Sequence, residues 1–284
     1  MVLSRIGENK QSSSRWAKTF VFLFAFCCCG CYQKDLLTDR LISKDDAVRV
    51  AALKEFYKLD HESKKLAFSR LVDRIKNDLQ YQEESAALEI VSNSKNEARE
   101  YATRLVSLLG NEDAWVVDFA ASMFYRIGLP AASILETAFK NTRDARLLAG
   151  IIEALDRIGH FSDSTLNLLV NATKHSDWNV RLQAVEALEN NIGDPMGLVD
   201  RFRGLVKDEN PRVRKTAIRF FRYTELPEPY WAVLFDVVNN DLDTEVRAEA
   251  IDALGTLGRR AQVAIPLFIK ATKFGEGSID EHNV

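Results

Sequence analysis

Along most of the chain apolar residues fall three and four positions apart, the spacing that lays one stripe along an α-helix. The pattern is clearest in NVRLQAVEAL, RVRKTAIRFF and EVRAEAIDAL, whose valines Val180, Val213 and Val246 stand 33 residues apart, twice. Stepping back at nearly the same interval meets Leu147, Val116, Glu83 and Val48. The sequence therefore reads as about seven repeats of one unit.

Other columns fix the register. Four residues after each anchor stand Ala52, Ala87, Ala120, Ile151, Ala184, Ala217 and Ala250. Three residues before stand Asp45, Gln80, Asp113, Asp144, Asp177, Asn210 and Asp243. Asp or Asn there is the choice for a helix N-cap, because its side chain accepts from an orphan N–H of the first turn. Pro211, directly after Asn210, suits the first helical position, where no N–H is missed. Gly128, Gly159, Gly193 and Gly258 follow four of the stripes and can end a helix in the left-handed conformation. A second apolar helix comes after the turn, as in Leu198, Phe202, Leu205 and Val206, or Leu234, Phe235, Val237 and Val238. Each unit is thus helix–turn–helix. One such pair cannot bury its apolar face, but stacked pairs share a core.

Asp177 to Leu188 and Asp243 to Leu254 follow Asp-x-x-Val-Arg-x-x-Ala-x-x-Ala-Leu, which resembles a helix of the HEAT repeat; Asp45 to Arg49 and Asn210 to Phe221 follow it in part. The resemblance covers roughly residues 45–274. It implies an all-α fold, an α-solenoid of about seven helix-turn-helix HEAT-like repeats. It also implies a structural ladder between units, formed by Arg49, Arg181, Arg214 and Arg247 with Asp177, Asn210 and Asp243. Function follows by analogy: a non-enzymatic scaffold that presents a curved helical surface to a protein partner and needs no cofactor. The alternative is a HEAT-like enzyme or chromophore-handling protein of the bilin-lyase kind.

The front of the chain is different. Arg5, Lys10, Arg15 and Lys18 precede Thr19–Cys29, a run without charge that is too short to span a bilayer comfortably. All four cysteines, Cys27, Cys28, Cys29 and Cys31, lie here, so the body can hold no disulfide. Gly30 before Cys31 resembles the end of a bacterial lipoprotein signal, which implies lipidation of Cys31. An ordinary cleaved signal, an uncleaved anchor and a palmitoylated cluster are the other readings. Residues 1–30 are then a signal peptide, 31–44 a tether, 45–274 the solenoid and 275–284 a disordered polar tail. The expected location is the cell envelope, anchored to a membrane by lipid and facing outside the cytoplasm.

Little in the body suggests chemistry. The formal net charge is −3, and no basic stretch offers a footprint for nucleic acid. His61, His160, His175 and His282 are not at metal-ligand spacing, and no metal is expected. Phosphate loops and nucleophile elbows are absent from the sequence. The densest aromatic and basic cluster suggests a protein-binding surface at Arg222, Tyr223, Tyr230 and Trp231, with Phe220 and Phe221 in the core. Trp115 and Trp178 are expected to pack at helix starts.

Overall fold

The structure is a computed structural model that describes residues 37–77, 81–94, 97–191, 195–223 and 231–256. Helices dominate it, and no strand occurs among the described residues. The chain divides into two compact units, Met1–Leu105 and Val106–Val284.

The first unit holds a helical segment at 37–41, then α1 (Asp46–Lys58), α2 (His61–Asn77), α3 (Tyr81–Asn93) and α4 (Ala98–Leu105). Asp45 caps α1, its Oδ1 accepting from Ala47 N at 2.8 Å. Phe56, Phe68, Leu71, Ile75, Ile90 and Tyr101 fill the interior, and the rings of Phe68 and Tyr101 lie 4.1 Å apart. Residues expected to serve as a tether instead belong to this core in part, since Leu37 and Leu41 are buried. Arg40 pairs with Glu55 and Arg74 with Asp39, both at 2.7 Å, fastening the 37–41 segment to α1 and α2.

The second unit opens with a 3₁₀ turn, Val106–Gly110. It continues through α5 (Ala114–Ile127), α6 (Leu129–Asn141), α7 (Ala145–Ile158), α8 (Asp163–Ala172) and α9 (Trp178–Asn190). After a 3₁₀ turn at Pro195–Leu198 come α10 (Val199–Leu205), α11 (Pro211–Phe220), α12 (Trp231–Asn240) and α13 (Thr244–Gly255). Asp113, Asp144, Asp177, Asn210 and Asp243 cap the odd-numbered helices with side-chain acceptors at 2.8–2.9 Å. Each such cap is worth about 1 kcal/mol. Gly128, with φ +71°, ends α5 and starts α6, and Gly159, with φ +70°, ends α7. Gly193 and Gly258 lie outside the described residues.

The register read from sequence is the register of the fold. All seven residues four places after the anchors, Ala52 through Ala250, have 0 % exposure. Small side chains there let capped helices meet directly. In the second unit α5 packs on α7, α7 on α9, α9 on α11 and α11 on α13, so the capped helices form one continuous layer. The even-numbered helices each pack behind it. This is the repeat-by-repeat stacking of an all-α solenoid of HEAT-like units.

The tightest approach in that layer is at Gly150, in the middle of α7. A β-carbon built there would lie 2.1 Å from the carbonyl oxygen of Leu109. Gly204 on α10 faces open space. Gly→Ala within a helix ordinarily stabilises by about 0.5–1 kcal/mol. Gly204→Ala is expected to follow that rule, whereas Gly150→Ala should destabilise by about 1–3 kcal/mol or more through overpacking. Thermal unfolding followed by circular dichroism checks both signs.

Candidate functional site

Between successive repeats the chain makes one recurring turn. Two residues before the caps of α1 and of the odd-numbered helices of the second unit, a polar side chain accepts the N–H of the cap residue. Ser43 does so for Asp45, Asn111 for Asp113, Thr142 for Asp144, His175 for Asp177, Asp208 for Asn210 and Asp241 for Asp243, all at 2.8–3.2 Å. In the last two turns the acceptor is a carboxylate that does more. Arg181 donates to Asp208 through Nε and Nη2 at 2.8 and 2.9 Å, and Arg214 does the same to Asp241 at 2.8 and 2.8 Å. Each guanidinium also donates through Nη1 to its own inter-repeat turn: Arg181 to the carbonyls of His175 and Ser176, Arg214 to those of Asp208 and Glu209. Arg247 donates to the carbonyl of Asp241 at 2.8 Å, and Arg49 donates to the carbonyl of Ser43 and to Asp46.

The ladder therefore runs through acids other than those expected. Asp177 and Asp243 spend a carboxylate oxygen on the first-turn N–H groups of their own helices, and Asn210 does likewise with its amide oxygen. Asp208 and Asp241, two residues ahead of a cap, meet the arginine of the preceding repeat. Where that repeat has Val117 or Leu148 in place of arginine, the turn residue is Thr142 or His175.

Electrostatics follow the geometry. The Asp208 carboxylate raises the Arg181 guanidinium further above its ordinary value, and Asp241 does the same for Arg214; burial opposes both. Burial alone would push Asp241 up, but the Arg214 guanidinium and the Asp243 N–H outweigh it and hold Asp241 below the usual carboxylate range.

The surface cluster read from sequence does not assemble as such. Trp231 is 8 % exposed and sits in the hydrophobic core, because it shares one α12 stripe with buried Leu234 and Val238. Arg222 pairs with Glu249 at 3.1 Å, tying the end of α11 to α13. Tyr223 ends the short 3₁₀ turn Phe221–Tyr223; its side chain, Tyr230 and Cys31 lie outside the described residues. Phe220 and Phe221 are core as expected, with Phe220 stacked on Phe202 at 3.9 Å.

Exposure appears instead on the outer side of the capped layer. Trp115 on α5, expected to pack, is 77 % exposed, and Tyr125 on the same helix is 65 % exposed. With Asp118 and Ser122 they form one outward stripe at helical spacing. Trp178 is 38 % exposed and carries the Arg212 guanidinium 6.0 Å from its ring centre. Between α5, α7 and α9 lies an open groove of about 350 Å³. Leu109, Val117, Ala149 and Gly150 make its apolar side; Asn111, Glu112, Arg146, Glu153, Asn179 and Gln183 supply polar edges.

A second set of links crosses the same layer. Arg157 joins α7 to α5 through Asp118 and Ser122, and Asp156 accepts from Asn190 and Asn191 at 3.0 and 2.6 Å. Arg219 meets Glu189 with two bonds of 2.7 Å, and Lys215 reaches Glu245 at 2.8 Å. Glu186, in their midst, has its carboxyl pushed up by burial. Arg219 opposes that push, and the charges of Glu189, Asp156 and Glu153 add to it. Most charged groups here are engaged in holding helices together. Among the described residues no His, Cys, Asp or Glu group could hold a metal ion, and no helix is long and apolar enough to cross a membrane.

Residues 165–222 match the family described as HEAT repeats. No curated protein matches the chain. A chain of the Kap95p–RanGDP complex superposes with TM-score 0.55 at 14 % identity, over 89 % of this chain and 36 % of that one. The E. coli protein YIBA superposes with TM-score 0.50 at 16 % identity, over 95 % of this chain and 93 % of its own. These establish the fold. A structure of the CpcE–CpcF phycocyanin lyase complex from Nostoc gives TM-score 0.36 at 16 % identity, over 84 % and 94 %, which is too loose to bear on activity.

Removal of Arg181 would leave Asp208, whose side chain is 8 % exposed, buried beside two carbonyls without their donor. Arg181→Ala is expected to cost about 3–5 kcal/mol in chemical denaturation. A carboxyl depressed in the folded state contributes stability above its unfolded value of about 3.9, lost as pH falls through the folded value. Wild type should therefore exceed Asp241→Asn in stability at pH 7, the gap closing progressively below about pH 4. A gap independent of pH would show that Asp241 does not act as a carboxylate.

Proposed function

We propose that this chain is a non-enzymatic protein-interaction scaffold, held at a membrane by a lipid on Cys31 and facing outside the cytoplasm in the cell envelope. One observation carries the scaffold reading. The capped layer of the second unit leaves Trp115 and Tyr125 of α5 exposed and opens a groove between α5, α7 and α9, while many of the charged side chains on that layer are bound up in links between helices. Exposed aromatic side chains and an open groove with an apolar side and polar edges suit recognition of another chain. Catalysis needs a nucleophile, base or metal placed over a reacting atom, and the groove edges supply amides and paired ions instead. The tether rests on sequence: a basic start, a charge-free run to Cys29, and Gly30 before Cys31.

Two measurements test the two halves. Cells expressing the full chain and fed radiolabelled palmitate should label wild type and leave Cys31→Ser unlabelled; unlabelled wild type removes the lipid tether. Crosslinking in intact cells followed by mass spectrometry should recover a protein joined reproducibly to the second unit. Recovery of nothing beyond what an unrelated membrane protein recovers would sink the scaffold.

A further inference from the structure

The turn before α9 differs from its counterparts in the atom that closes it. Ser43, Asn111, Thr142, Asp208 and Asp241 each accept a cap residue's N–H through a side-chain oxygen. His175 accepts that of Asp177 through an imidazole nitrogen, Nδ1, at 3.0 Å. A ring nitrogen that accepts carries no proton. The bond therefore assigns the ring proton to Nε2 and requires a neutral ring. An imidazolium has N–H on both nitrogens and would turn a donor toward the Asp177 N–H.

This turn is tied to the repeat on its far side. Asp177 caps α9 through its carboxylate, and the His175 carbonyl accepts from Arg181 Nη1 at 2.8 Å. Arg181 in turn holds Asp208 and Glu209 of the next turn. The charged groups that these bonds bring together are Asp177, Arg181, Asp208 and Glu209, with Lys174 beside His175 in the chain. In each of these contacts the carboxylate serves another donor: Asp177 the first-turn N–H groups of α9, Asp208 and Glu209 the guanidinium. Helix α7, on which α9 packs, has Leu148 at the matching ladder position. Histidine is the side chain whose ordinary titration lies between pH 5 and 8; hydroxyls, amides and ordinary carboxylates keep their state over that range.

We propose that His175 makes the turn before α9 an acid-sensitive joint. Uptake of a second ring proton removes the acceptor of the Asp177 N–H and loosens this turn, while the other five stay closed. The bond's contribution is present while the ring is neutral and is lost as pH falls through the imidazole range. The joint is a property of the fold and needs neither a partner nor the lipid tether.

The test is single-residue hydrogen exchange of the full-length protein at pH 8 and pH 5.5, each rate divided by the intrinsic rate at that pH. Protection of the Asp177 amide should fall about 3- to 10-fold on acidification, the size of one neutral hydrogen bond. That of the Asp113 amide, held by Asn111, should stay constant. His175→Asn places an amide oxygen where Asn111 has one, and should keep Asp177 protection constant as well. His160→Asn, at an exposed histidine just beyond α7, should leave the wild-type fall intact. Nitrogen NMR of the wild-type ring at pH 8 should find the proton on Nε2. A proton on Nδ1 at pH 8, an equal fall at Asp113, or the wild-type fall retained in His175→Asn overturns the proposal. The Asp113 comparison and the ring NMR need no variant, so they decide the matter should His175→Asn fail to fold.

Discussion

Everything in the second unit depends on closing the turn between one repeat and the next. A helical pair of this size cannot bury its own apolar face, so stability lies in the interfaces between units. Arg181 and Arg214 close two of these turns by joining three things at once: the helix that carries them, the backbone carbonyls of the turn before it, and the carboxylate of the turn after it. The turn carboxylate in turn accepts the N–H of the next cap residue. Cap, turn and ladder are one hydrogen-bonded path, and Asp208 illustrates it: its side chain serves Arg181 and its carbonyl serves Arg214. Fixing that path helps set the distance between capped helices, consistent with the fully buried Ala184, Ala217 and Ala250 four places after the anchors on α9, α11 and α13.

The repeat was legible because its columns answer separate physical demands. A cap acceptor, a small buried residue and a helix stop need not coincide by chance, and their common register predicted the fully buried positions from Ala52 to Ala250. The ladder's acids were harder to see. Their column reads Ser43, Asn111, Thr142, His175, Asp208 and Asp241, because any polar acceptor satisfies the turn, and carboxylate is required only where an arginine precedes it. The cap column is more uniform, and uniformity pointed to the wrong residues.

The two misplaced tryptophans have a similar lesson. Trp231 stands three and seven residues before Leu234 and Val238, which are core, so helical spacing already carried it inward. Trp115 precedes an anchor by one residue and falls on the line of Asp118, Ser122 and Tyr125, which is polar and faces out. Density of aromatic residues along the chain drew attention to the first; phase around the helix decides both. The helical packing of Leu37 and Leu41 had no repeat column to announce it, since it precedes the first anchor.

The two sets of links also differ in how open they are to solvent. The turn ladder is buried: the side chains of Asp208 and Asp241 are each 8 % exposed, so a partner cannot compete for them. Links on the outer face are half open, as with Arg157 and Glu153, and exposed pairs contribute about 0–1 kcal/mol each. Stability therefore rests on the buried path, and the outer face can exchange ionic partners at little cost to the fold. Gly150 joins the two layers of the argument. Its missing side chain lets the 106–110 turn approach α7, and Gly150 also lines the groove, so the packing that holds α7 in place shapes the groove between α5, α7 and α9.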